Sequence, residues 1–204
     1  MPTATTRERS SKGEKSDRDR DKQAAILDAA MALFGELGFH GTTMPEVAER
    51  AGVAAGTIYR YFASKEALVN AVFQREKAAL GHALLDGFPF DAPVREQFHV
   101  FWRRYAKHAA EHREAFAFLE LHHHQPYLDE ESQAIEMRVL EPALRFVHQA
   151  QEQKAIKPVS PALVIAMFYG AFSAMVKASW SGYFALDDEV LDAAESCVWE
   201  GIRR

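Results

Sequence analysis

The sequence predicts an all-α fold, with a small N-terminal three-helix head of helix-turn-helix type joined to a larger helical body. Three observations carry that reading. Apolar residues recur at spacings of three and four through nearly every stretch after residue 22. No segment carries a strand signal, and no internal repeat appears. Gly87, Pro89 and Pro93, then Pro126, then Pro158 and Pro161 cut the periodic stretches into helix-length pieces. A chain of 204 residues, 48% apolar and 26% charged, is long enough to bury a core in both parts.

Residues 1–21 are polar, carry both charge signs and have no apolar period, so they read as a disordered tail. Arg18, Arg20 and Lys22 are the residues by which such a tail would reach a minor groove. Residues 22–67 read as the head. Ile26, Ala29, Ala30, Leu33, Phe34 and Leu37 form the stripe of a first helix that Gly38 ends. Thr43 followed by Glu46 is a capping box, and Pro45 in the first turn loses no hydrogen bond. Val47, Ala48 and Ala51 give this second helix a narrow apolar face, and Gly52 supplies the left-handed residue past its end. Val53 plugs the gap before a third short helix over Ala54 to Phe62, whose Ile58 and Phe62 point inward.

The opposite face of that helix is chemically distinct. Ala55 and Gly56 are too small to hold a partner off, while Thr57, Tyr59, Arg60 and Tyr61 offer hydroxyls, rings and a cation. A protruding helix start of that kind suits close approach to base edges and phosphates. Ser64 caps the next helix, and Lys65 in its first turn opposes the helix dipole, which asks for an external anion.

Residues from about Ala24 to Phe73, AAILDAAMALFGELGFHGTTMPEVAERAGVAAGTIYRYFASKEALVNAVF, resemble the DNA-binding domain of the TetR (tetracycline-repressor) family of bacterial transcription regulators. Phe34, Gly38, Thr43, Ala48, Ala51, Gly52, Val53, Gly56, Tyr59, Phe62, Lys65 and Leu68 fall together at the family spacing. The resemblance implies that Thr43, Ala55, Gly56, Thr57, Tyr59, Tyr61 and Lys65 touch double-stranded DNA. It also implies a homodimer on a palindromic operator, most often a repressor, released by a small-molecule effector. Met44-Pro45 departs from the polar or charged pair that many members carry there.

Residues 68–204 then read as the ligand-binding and dimerisation body. The helix from Ser64 to about Leu85, with Leu68, Val72, Leu80 and Leu84 on its stripe, leaves the head for the body. Val94 to His112 carries an aromatic stripe, Glu114 to His124 continues it, and Glu130 to Lys154 points Met137, Leu140, Leu144 and Val147 inward, with a kink at Pro142. Residues 162–182 are apolar nearly all round, with Gly170, Ala174 and Ala178 in a small-residue row. That helix and the last one, with Val190, Leu191, Ala194, Val198 and Ile202, resemble the family's four-helix dimer bundle.

The chemistry of the body is less specific. Trp102, Tyr105, Phe116, His123, Met137, Phe168, Tyr169 and Phe172 are core residues first, and on the family resemblance they are also the walls and polar handles of an effector pocket. His108 and His112 stand one helical turn apart, beside the run His122 to His124, which keeps a metal-responsive regulator as the alternative, although no ligand spacing assigns a metal. There is no Gly-rich phosphate loop, nucleophile elbow or paired-Cys pattern, so neither catalysis nor a cofactor is expected. Cys197 alone forms no disulfide framework and reads as a small apolar packing residue. No apolar run reaches membrane span and no signal core leads the chain, which points to the cytoplasm. Residues 1–65 are net +1 and the remainder net −6, so DNA binding has to rest on a few placed contacts rather than on a broad field.

Overall fold

The computed structural model describes residues 5–121 and 125–204, with side chains from residue 17 onward except those of Leu121 and Gln125. Among these residues the fold is all-α: α1 Thr5–Gly41, α2 Met44–Arg50, α3 Ala55–Tyr61, α4 Lys65–Leu85, α5 Val94–Glu111, α6 Arg113–Leu121, a 3-10 turn Gln125–Tyr127, α7 Glu130–Glu152, α8 Pro161–Trp180 and α9 Asp188–Ile202. The only extended pairing among them is an isolated bridge between Ile156 and Arg203. It ties the chain's end to the α7–α8 loop.

The head closes as its apolar stripes dictate. Ile26, Ala30 and Phe34 of α1 meet Val47 and Ala48 of α2, Ile58 of α3 and Leu68 of α4, all nearly or wholly buried. Two sequence expectations need correction. Segment 5–21 is not a free tail but the first part of α1, because Arg, Glu and Lys are strong helix formers and charges pair between turns, as Arg20 does with Asp17 at 3.7 Å. Arg18, Arg20 and Lys22 therefore sit on a helix rather than on an extended arm. Leu37 is 51% exposed, because Gly38 at φ 70 breaks the helix and Phe39 takes the inward place instead, stacked on Phe34 at 6.1 Å.

The body encloses α4. Gly81 lets α7 cross so close that a Cβ there would meet Val139 at 2.9 Å. This crossing sets the register of α7, whose buried residues are Ser132, Val147 and Ala150. Of the expected inward stripe, Val147 is buried and Leu140 and Leu144 are half-buried, while Met137 stands 53% exposed. α7 also runs through Pro142 as one helix. α8 buries Val164, Phe168, Phe172, Met175 and Val176 and exposes Leu163, Met167, Gly170, Ala171 and Ala174. Contrary to the sequence expectation, α8 is long and apolar enough to cross a bilayer by length and composition. Its Gly and Ala residues keep both of its faces apolar.

One polar side chain sits where head and body join. Asn70 of α4 is 4% exposed and uses all its hydrogen-bonding capacity. Its Nδ2 donates to Glu66 O at 2.8 Å and Tyr127 O at 2.7 Å, while its Oδ1 accepts from Asp129 N at 2.9 Å and Ser132 Oγ at 2.7 Å. Asn70→Ala strands a carbonyl, an N–H and a hydroxyl in a dry site, so denaturant unfolding should show a loss of about 2–3 kcal/mol. A loss under about 0.5 kcal/mol would mean that this junction carries no such weight.

Candidate nucleic-acid interface and effector cavity

The turn between α2 and α3 is fixed by backbone chemistry. Glu46 N donates to Thr43 Oγ1 at 3.4 Å, and Thr43 N donates to Glu46 Oε2 at 2.8 Å, which completes the capping box. Gly52 adopts φ 66, and Val53 N donates to Ala48 O at 2.9 Å, so α2 ends in a left-handed turn that throws α3 outward. Arg50 clasps Glu36 through two hydrogen bonds of 2.9 and 2.8 Å, fastening the end of α2 to α1.

α3 presents an open end. No side chain caps its start at Ala54, and Ala54, Ala55 and Gly56 are all exposed. A Cβ added at Gly56 would meet nothing within 4 Å, so the glycine clears space outside the protein rather than within it. Thr57 is half-buried beside this end, and Tyr59 stands 55% exposed. These residues lie together on one outward surface. Three others have partners at home. Thr43 Oγ1 donates to Glu46 Oε2 at 2.7 Å, and the Tyr61 hydroxyl donates to Asp19 at 3.0 Å. Lys65 Nζ donates to Phe39 O at 2.7 Å and Thr42 O at 2.9 Å and lies 4.3 Å from the Phe39 ring centroid. The cation at the start of α4 thus neutralises carbonyls at the end of α1, leaving one N–H for an outside anion.

The body holds a cavity of about 390 Å³ between α5, α7, α8 and the α4–α5 loop. Phe88, Phe90, Phe98, Phe101, Phe146 and Phe168 supply its aromatic wall. Arg145, Gln97 and Gln149 are the polar residues along it. Gln97 is already committed, donating to Phe90 O and Ala92 O at 2.9 and 2.7 Å, which holds the loop over the cavity.

Comparison with known proteins agrees with this geometry. The family profile described as bacterial regulatory proteins, tetR family, matches residues 26–72, and that described as tetracyclin repressor-like, C-terminal domain, matches residues 73–204. The chain belongs to the TetR family. Among curated relatives, the HTH-type transcriptional regulator RutR of Escherichia coli K12 is 48% identical over 54 residues, 26% of each chain. The HTH-type transcriptional repressor KstR of Mycolicibacterium smegmatis is 43% identical over 76 residues, 35% of this chain and 37% of that one. These relatives are matched over about a quarter to a third of their length. A TetR family transcription regulator from Marinobacter aquaeolei is similar over the whole fold, with a TM-score of 0.82 at 26% identity over 92% of this chain and 98% of that one.

Within this TetR-family body, few of the residues expected at the effector site line the cavity. Phe168 does. Trp102, Tyr105, Phe116 and Phe172 are at most 1% exposed and pack on one another, and Trp102 Nε1 donates to Leu191 O at 3.1 Å across to α9. Tyr169 lines a separate smaller cavity, Met137 faces outward, and His123 lies outside the described residues. The aromatic stripe of α5 was read correctly as apolar, but periodicity does not separate a packed face from a hollow one. Of the other lining residues, Phe88 and Phe90 stand in the α4–α5 loop, Phe101 on the aromatic stripe of α5 and Phe146 on α7. The cluster of Phe and Pro from 88 to 93 was the available signal.

Cys197 is exposed on α9 rather than packed. His108 is 5% exposed, with neither ring nitrogen hydrogen-bonded, and its ring lies 4.8 Å from that of His112. Among the described residues no group of three or more His, Cys, Asp or Glu side chains stands ready for a metal. Burial, and after it the His112 charge, lowers the His108 pKa from 6.5 to about 4, against a weaker opposite pull from Glu111. The unfolded chain therefore binds a proton between pH 6.5 and 4 that the fold excludes. Stability should be full above pH 6.5 and fall through that window with this site's slope reaching about 1.4 kcal/mol per pH unit. Unfolding curves of the wild type and His108→Leu across that range should diverge in slope; parallel curves would remove His108 from the acid response.

Proposed function

We propose that this chain is a homodimeric, effector-responsive transcription regulator of the repressor kind, which acts in the cytoplasm on a palindromic operator. The observation that carries the reading is the uncapped, outward start of α3, where Ala55 and Gly56 leave room for a groove wall and Thr57 and Tyr59 stand beside it. Thr57 and the backbone at Ala55 and Gly56 approach base edges, while Tyr59 and the third N–H of Lys65 hold phosphate. Thr43 and Tyr61 join the phosphate contacts by exchanging Glu46 and Asp19 for DNA. Two heads on one face of straight B-DNA place half-sites roughly 34–36 Å apart, or a multiple of that.

Lys65→Ala is a poor test of phosphate binding, since it also removes two hydrogen bonds inside the head. Gly56→Val is a clean one. Its added carbons enter open space in the free protein and collide with DNA only when bound. Operator affinity should fall by more than about a hundredfold, while stability falls by no more than about 1 kcal/mol. Near-normal binding by the folded variant would move the DNA surface away from α3.

Dimerisation is assigned to α8 and α9. Leu163 and Met167 are 50% and 41% exposed on the same side of α8 as Gly170, Ala171 and Ala174, an apolar face that needs a cover and whose small residues permit close helix approach. This cover also accounts for a membrane-length helix in a DNA-binding chain. Ala174→Glu puts a charge without a partner into that contact and should give monomers in sedimentation at micromolar concentration. A stable dimer in that variant would place the interface elsewhere.

The cavity between α5, α7 and α8 is the effector site in this scheme. Its aromatic wall supports an organic, largely apolar effector. An effector that fits better when α4 has shifted favours a head spacing unsuited to the operator, and DNA affinity falls accordingly.

A further inference from the structure

Ile165 of α8 belongs to the wall of the large cavity and also to that of a second one, of about 240 Å³. The second is chemically different. Besides Val139 and Leu140, it is lined by Lys77 of α4, Glu120 of α6, Glu136 of α7 and Tyr169 of α8. Lys77 is 8% exposed, and its Nζ stands 4.0 Å from Glu120 Oε1, beyond direct hydrogen-bond length. Glu120 Oε1 is buried without a hydrogen-bond partner, and so is the neighbouring Tyr105 hydroxyl. Burial pushes the Glu120 carboxyl up, with Lys77 and then the nearby Tyr105 hydroxyl pulling it back in part. A buried cation and carboxyl held apart are costly, and a native fold keeps such a gap where something else can fill it.

We propose that the second cavity is the polar end of the effector site and receives a hydroxyl group, so that the effector is an apolar molecule bearing an alcohol. This rests on the reading of the large cavity as the effector site. An oxygen about 2.8 Å from both Lys77 Nζ and Glu120 Oε1 subtends roughly 90° between them, close to the tetrahedral arrangement of donor and acceptor directions at an alcohol. A hydroxyl accepts from the ammonium and donates to the carboxyl in the same act. A carboxylate gains Lys77 but meets Glu120 and Glu136, an ammonium gains the two carboxyls but meets Lys77, and an ether has no proton for Glu120, whereas a hydroxyl serves both sides without adding a charge. The bridge also acts on the helix that carries the head. Lys77 lies on α4 and Glu120 on α6, so a hydroxyl held between them couples the ligand to the position of α4 against α6.

The experiment is calorimetric titration of the full chain with 1-octanol, octanoate, octylamine and octyl methyl ether, repeated on Lys77→Met, Glu120→Gln and Ala143→Trp. The alcohol should bind the wild type at least about tenfold more tightly than the other three, and both polar-site variants should bring the four to within about twofold. Two variants are used so that poor folding of one leaves the other to decide. Ala143→Trp, which fills the large cavity, should abolish binding of all four. If the wild type binds the four alike and Ala143→Trp removes them all, the large cavity stands as the effector site and the hydroxyl subsite falls. Binding that survives Ala143→Trp undoes the reading of the large cavity itself. A preference for octanoate, octylamine or the ether, or no binding by any probe, overturns the subsite.

Discussion

The orientation of the head depends on a joint built from one stacked ring pair and one amide. Phe39, just past the break in α1, stacks on Tyr127 of the 3-10 turn with ring centroids 3.9 Å apart, and the Tyr127 hydroxyl is hydrogen-bonded to His40 at 2.8 Å. Lys65 covers the other parts of this corner, bonded to two carbonyls at the end of α1. Asn70 then binds the Tyr127 carbonyl and the start of α7. The head is thus held to the body by α4, by the turn before α7 and by α6, whose Phe118 ring lies 6.2 Å from that of Phe34 on α1. In the proposed scheme these attachments let a change in the body reach the orientation of α3.

The rest of the body is arranged to be stiff around the cavity. Phe168 touches the rings of Phe98, Phe101, Trp102 and Phe172, and such pairs contribute about 0.5–1.5 kcal/mol each beyond their burial. Across from this cluster, Glu195 of α9 is 1% exposed and is satisfied by Arg95 and His99 of α5, while Arg103 reaches Asp188 and Asp192. The buried carboxylate is paired on both oxygens, which offsets the cost of taking it out of water and fixes α9 against α5. α5 therefore ties the aromatic wall to the helix pair assigned to dimerisation.

Head and body differ in how much of them could be read from the chain. The capping box, the glycine at φ 66, the inward Ile58 and the small residues opening α3 are local devices, and each stands in the sequence as it stands in the fold. The helices of the body were legible for the same reason. What periodicity leaves open is which side of an apolar helix faces a void. Trp102 and Phe172 lie on the packed side and Phe101 on the hollow side of the same helix pair, a difference set by packing between elements far apart in the chain. Lys65 shows the other limit. Its position against the α4 dipole was visible, but the carbonyls that answer it come from 23 and 26 residues earlier in the chain.

The joint can be tested without any effector. Pulsed dipolar spectroscopy on dimers carrying spin labels at Ala63→Cys, an exposed position between α3 and α4, in a Cys197→Ser background, measures the distance between the two heads. Tyr127→Ala removes the ring that Phe39 stacks on while leaving the Asn70 bonds to the backbone. A narrow distance distribution in the parent that shifts or broadens by several ångströms in Tyr127→Ala, with the dimer intact, is the result this account predicts. Identical distributions in the two proteins would contradict it, because the stacked ring pair would then carry none of the head's orientation.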